Sequence, residues 1–111
     1  MRKSKHDKII DEIVNRLYNS QVDYDLIEQQ REYDMNNGKH GECDIYAVHK
    51  HDLLLFEIKS RNAKKHRLKA YHQLEKDSLY FNRLFKPHRI FKFYVYGEGN
   101  HYKIERVNLK L

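Results

Sequence analysis

Leu53-Leu54-Leu55-Phe56-Glu57-Ile58-Lys59-Ser60 is apolar at every position up to the glutamate. A strand with one face in water alternates polar and apolar residues, whereas a near-continuous apolar run is buried on both faces. This segment is therefore expected at the centre of a sheet, and its neighbours must supply the cover. Upstream, His49-Lys50-His51-Asp52 reads as a hairpin turn leading back to a strand over Glu42 to Val48. Downstream, Asn62 is placed to cap a helix over about 63–85. Its apolar line, Leu68, Tyr71, Leu74, Ser78, Phe81, Phe85, advances by threes and fours until Pro87 ends it.

The flanks complete the pattern. In residues 4–19, Ile9, Ile10, Ile13, Val14 and Leu17 form one face of an amphipathic helix. Tyr24 to Tyr33 carries a weak strand signal, and Asp34-Met35-Asn36-Asn37-Gly38-Lys39-His40-Gly41 reads as a loop. After Pro87, Phe91, Phe93 and Val95 alternate with Lys92, Tyr94 and Tyr96. A turn at Gly97-Glu98-Gly99-Asn100 leads to a last strand over 101–109. The order is αβββαββ, which predicts an α/β three-layer sandwich.

The chain of 111 residues is the size of one domain, here 1–111. Lys and Arg number 22 against 16 Asp and Glu, a formal charge of +6 that favours a polyanionic partner, nucleic acid first. No uncharged apolar run exceeds four residues, as in Leu53 to Phe56, far below the roughly 20 residues of a membrane span. No membrane partner is expected. The basic N-terminus leads into a helix bearing Asp11 and Glu12 rather than an export signal, and Cys43 is the single cysteine. Both fit a reducing, cytoplasmic setting. His40, Cys43, His49 and His51 match no usual structural zinc spacing.

If Val48 opposes Leu53 across the hairpin, paired numbers sum to 101 and Asp44 lies across from Glu57. Directly opposed residues have Cβ atoms about 4.5–5.5 Å apart, so two carboxylates there repel unless a cation lies between them. Mg²⁺ commonly takes one or two carboxylates together with waters and substrate phosphates. Lys59, two residues beyond Glu57, projects from the same face and can assist a water or offset charge on a phosphate. E-x-K alone is common in any sequence and often a surface ion pair. The upstream acid, the apolar strand between and the flanking helices give it weight.

At these residues the chain resembles the PD-(D/E)XK nuclease superfamily, whose restriction-endonuclease-like αβββαβ core carries an acid on its second strand and E-x-K on its third. The last strand here is extra to that core. The resemblance implies that Asp44 and Glu57 hold Mg²⁺ or Mn²⁺, that the Ile58 carbonyl can be a further ligand, and that Lys59 assists water attack. The thirteen-residue spacing and the size are similar to small archaeal-type Holliday-junction resolvases. Gly41-Glu42-Cys43-Asp44 is similar to the G-x-x-D element of RecB-like exonucleases. Resolvase-like members carry a Glu on the buried side of the first helix, where this chain has His6; RecB-like members place a metal-ligating His in that helix. His6 is thus a candidate third ligand, with Glu12 the alternative. Gln73 resembles the Gln many members place near the site, but Asp77 stands where RecB-like proteins carry Tyr.

Between Glu57 and Glu75 there is no acid, while Lys59, Arg61, Lys64, Lys65, Arg67 and Lys69 all fall there. Beside a phosphodiester site, Arg61, Lys64, Lys65, Arg67 and Lys69 are expected to grip the DNA backbone, giving affinity without sequence readout. The expected activity is a Mg²⁺-dependent, structure-specific DNA endonuclease. A RecB-like exonuclease, an RNA-directed nuclease and an inactive binding module are the competing readings. Tyr94, Tyr96 and Tyr102 are the expected surface for a homodimer.

Overall fold

The computed structural model describes residues 3–108. Its elements are α1 (Lys5–Tyr18), β1 (Leu26–Asp34), β2 (His40–His49), β3 (Asp52–Lys59), α2 (Lys64–Phe85), β4 (Arg89–Glu98) and β5 (His101–Val107). The αβββαββ order is as expected from the sequence, with strand ends shifted by at most two residues; residue 109 lies outside the described part. The five strands form one open sheet in the order β1-β2-β3-β4-β5. Only β3 and β4 run parallel. A parallel pair needs a long crossover, and α2 is that connection.

The central position of β3 follows from its side chains. Leu53 and Leu55 enter a core with Ala70, Leu74 and Phe81 of α2, while Phe56 and Ile58 enter a second core with Ile9, Ile10, Ile13 and Leu17 of α1. The helices therefore cover opposite faces of the sheet. Ser4 caps α1 by accepting from the Asp7 N–H at 3.1 Å.

Several expectations are corrected. The cap residue of α2 is Ala63, with no side-chain hydrogen bond. Asn62 Oδ1 instead accepts from the Tyr94 hydroxyl at 3.1 Å, a tertiary contact invisible to local pattern. The buried line of α2 is Ala70, Leu74, Asp77 and Phe81, and Leu68 is half exposed. Apolar periodicity favours Leu68 because Ala70 and Asp77 carry little or no hydrophobic weight. Tyr94 and Tyr96 are not surface residues. They are buried on the α2 side, where Arg67 covers their rings.

Gly97 on β4 shows how tightly the end of β3 is held. A Cβ there would stand 2.2 Å from the Ser60 carbonyl oxygen and 2.6 Å from Lys5 Cε. The N-terminus of α1, the end of β3 and the end of β4 thus meet at one place.

Candidate active site

The hairpin register holds from His49↔Asp52 to Ile45↔Phe56, every pair summing to 101. The ladder stops one step before Asp44 and Glu57. There the Asp44 carboxylate accepts the Ile58 N–H through Oδ2 at 2.8 Å, taking the place of a strand carbonyl. Cys43 and Tyr46 lie in the α2-side core while Ile45 and Ala47 face α1, so the two-residue alternation of β2 slips between 43 and 46. That slip accompanies the parting of the strands. Asp44 stands at the opening, 5% exposed.

Glu57 is likewise 5% exposed, on the α2 face of β3 beside Leu53 and Leu55. Its Oε1 is 3.6 Å from Lys59 Nζ, while its buried Oε2 has no hydrogen-bond partner among the described residues. Burial, and then the charge of Asp44, push its carboxyl well above the usual range. Lys59 draws it down, but less. On the other side, His6 Nε2 lies 3.4 Å from Asp44 Oδ2, and this contact raises the His6 pKa against the opposing effect of burial. The structure therefore brings together His6, Asp44, Glu57, Ile58 and Lys59, from α1, β2 and β3.

Glu12 is elsewhere. It is exposed and lines a groove with Lys5, Lys8, Ile9 and the turn Gly99–Tyr102. About two helical turns separate it from His6, the side chain that reaches Asp44.

Gln73 lies on the wall of a shallow cleft with Lys59, Lys69, His72 and Lys76. Its amide nitrogen donates to Asp77 Oδ1 at 2.8 Å and to the Tyr33 oxygen at 3.3 Å. Tyr33 in turn donates to Asp77 Oδ1 at 2.5 Å. Asp77 is fully buried, its Oδ2 lacks a partner among the described residues, and burial raises its carboxyl to about 6 despite the bonds it accepts. Sequence reasoning places neither Tyr33 nor Asp77 at the site. The available signal is Asp77 itself, an acid at a buried helical position four residues after Gln73.

The basic run divides. Arg61, Lys64, Lys65 and Lys69 are exposed, and Lys69 shares the cleft with Lys59. Arg67 is committed elsewhere: its guanidinium donates to Glu105 on β5 at 2.6 and 3.3 Å and to the Tyr71 hydroxyl at 2.9 Å. This corrects its placement among backbone-gripping residues, because its charge and planar face are occupied within the fold.

Among the described residues, no three His, Cys, Asp or Glu side chains are grouped closely enough to hold a metal by themselves. None of the described helices is long and apolar enough to cross a membrane. No protein-family model matches the chain, and no curated protein matches it either.

Proposed function

We propose that this chain is a metal-dependent nuclease with a restriction-endonuclease-like fold, hydrolysing phosphodiester bonds in DNA. One observation carries the reading: Asp44 and Glu57 are buried side by side where β2 and β3 part, and a Glu57 oxygen is left without a partner among the described residues. An orphaned buried carboxylate oxygen is costly, and a bound cation is the group that makes it favourable. The donor set fits Mg²⁺ or Mn²⁺. A pair of carboxylates, completed by water and substrate oxygens, is a common magnesium arrangement and needs no third protein acid. Asp44 and Glu57 would hold the ion, with the Ile58 carbonyl as the neighbouring donor; His6 is held against Asp44, and Glu12 has no part in the set. Bound there, the ion supplies Lewis-acid polarisation and a water of lowered pKa.

The remaining chemistry belongs to the chain. Lys59 has a side chain 27% exposed and an ammonium 3.6 Å from Glu57, between the carboxylates and the cleft. It orients the attacking water and offsets charge developing on the phosphate. Gln73, with its nitrogen held by Asp77 and Tyr33, lines the same cleft. Arg61, Lys64, Lys65 and Lys69 hold the DNA backbone and give affinity without base readout, so specificity for DNA structure, as in Holliday-junction resolvases, belongs to the proposal. So does a homodimer, although Tyr94 and Tyr96 do not supply its surface.

The competing reading is an inactive nucleic-acid-binding module. His6 in place of a first-helix acid favours it. A labelled panel of four-way junction, flap, duplex, single strand and RNA, with Mg²⁺ or Mn²⁺, separates the readings. Wild type is expected to cut a branched or duplex DNA internally, and Glu57→Ala to bind the same DNA without cutting it. Cleavage of RNA or release of nucleotides from ends would move the assignment to an RNA-directed or RecB-like enzyme. No cleavage by wild type, or equal cleavage by Glu57→Ala, overturns the catalytic claim.

A further inference from the structure

Two grooves with basic linings meet at the end of β3, one on each side of the sheet. The first, on the α2 side, is the cleft of Lys59, Lys69, His72, Gln73 and Lys76. The second is lined by Lys5, Lys8 and Ile9 of α1 and by Gly99, Asn100, His101 and Tyr102 of the β4–β5 turn, with Glu12 its one acid. Residues from opposite ends of the chain make this second groove, so no local charge count reveals it.

Its place relative to the candidate site is fixed by three contacts. Lys5 packs against Gly97, whose absent side chain leaves room for the Ser60 carbonyl, one residue after Lys59. His6, next to Lys5, reaches Asp44 at 3.4 Å. Lys59 itself opens into the cleft on the other side. The carboxylate pair therefore lies between two anion-attracting grooves on opposite faces of the sheet. Lys5 and Lys8 are exposed and make no ion pair within 4.0 Å among the described residues, so their charges are available to a ligand. Asn100 and His101 add neutral or titratable donors beside them.

A single phosphodiester chain entering the α2-side cleft accounts for one groove and leaves the other empty. A duplex presents two phosphate backbones side by side. We propose that the α1/β4–β5 groove, through Lys5, Lys8 and His101, is a second phosphate-backbone site, and that the substrate is a duplex whose two backbones straddle the end of β3. This rests on the nuclease reading above and adds to it the substrate class and a binding site.

The test is binding rather than cleavage. Fluorescence anisotropy of a short labelled duplex and of one of its strands alone is measured in EDTA over a range of salt, and folding of each variant is checked by circular dichroism. Removing one lysine–phosphate interaction lowers the slope of log K against log salt by about 0.9 for duplex and about 0.7 for single strand. Lys5→Ala/Lys8→Ala is expected to lower the duplex slope by about 1.8 and leave the single-strand slope unchanged. Lys69→Ala/Lys76→Ala is expected to lower both slopes. Arg83→Ala/Arg106→Ala removes the same charge at residues that line neither groove and is expected to change neither slope. An unmoved duplex slope in Lys5→Ala/Lys8→Ala overturns the second site. So does an equal fall in the Arg83→Ala/Arg106→Ala control, which would make the effect one of net charge. In both cases a fall in Lys69→Ala/Lys76→Ala leaves the nuclease reading standing, whereas failure of wild type to bind either DNA overturns the two together.

Discussion

Asp77 carries a carboxyl into a place that water does not reach. Its folded-state pKa, about 6, lies above the ordinary value of 3.8, and burial is the cause. A raised pKa means that the folded state keeps a proton the unfolded chain has released. Stability from this group is whole below pH 3.8 and is lost as pH rises to about 6. The shift corresponds to roughly 3 kcal/mol. Asp77→Asn cannot ionise. Urea unfolding in EDTA is therefore expected to show the stability of Asp77→Asn, relative to wild type, improving by roughly 3 kcal/mol between about pH 3 and pH 7. A pH-independent difference would show that Asp77 titrates normally in the folded protein. The hairpin register that carries Asp44 toward Glu57 can be read from spacing, because it is arithmetic, although the ladder ends one step short of them. The Tyr33–Asp77–Gln73 cluster cannot, because it joins β1 to α2 across a gap of forty residues or more.

At the level of the element, α2 illustrates how one run of like charges serves two ends. Its exposed lysines face solvent, but Arg67 turns back and clamps β5 through Glu105 while covering Tyr94 at 5.0 Å. The guanidinium fork matches a carboxylate at two points and stacks on rings, which an ammonium does not do. Arg67→Ala is expected to lower stability by about 1–2 kcal/mol, from a partly exposed bidentate pair and its aromatic contacts. Arg67→Lys should recover less than half of that. Neither variant should change the salt dependence of DNA binding, in contrast to the lysines of the same helix. Denaturant unfolding and anisotropy titration check the two halves separately. Sequence locates α2 to within a residue at its start, since its periodicity spans many turns. It shows the inward face through Leu74, Phe81, Tyr71 and Phe85 but misplaces its edge at Leu68, because the inward positions also include a small residue, Ala70, and an acid, Asp77.

The whole molecule is one sheet with a core on each face, and both cores use β3. Leu53 and Leu55 belong to one, Phe56 and Ile58 to the other, so neither can melt while the other keeps its strand. Unfolding is expected to be a single transition. Ile13→Val in the α1-side core should cost about 0.5–1.5 kcal/mol, and Leu74→Ala in the α2-side core about 2–5 kcal/mol. Each should displace the same transition, with far-UV circular dichroism and tyrosine fluorescence still coincident. Separation of the two signals in either variant would show that the helices are held independently.

The sequence by itself determined the order of elements, the central position of β3 and the hairpin register as far as Ile45↔Phe56. All of these depend on periodicity or on short-range counting along a chain whose geometry is regular. Only the tertiary structure decided that Asp44 takes a ladder hydrogen bond instead of facing Glu57 in a regular pair, that His6 rather than Glu12 reaches the acids, and that Arg67 is bound within the fold. It also decided that the basic charge lies on both sides of the site. Those outcomes depend on which distant side chains meet once the helices dock on opposite faces, and that is set by packing, not by local pattern.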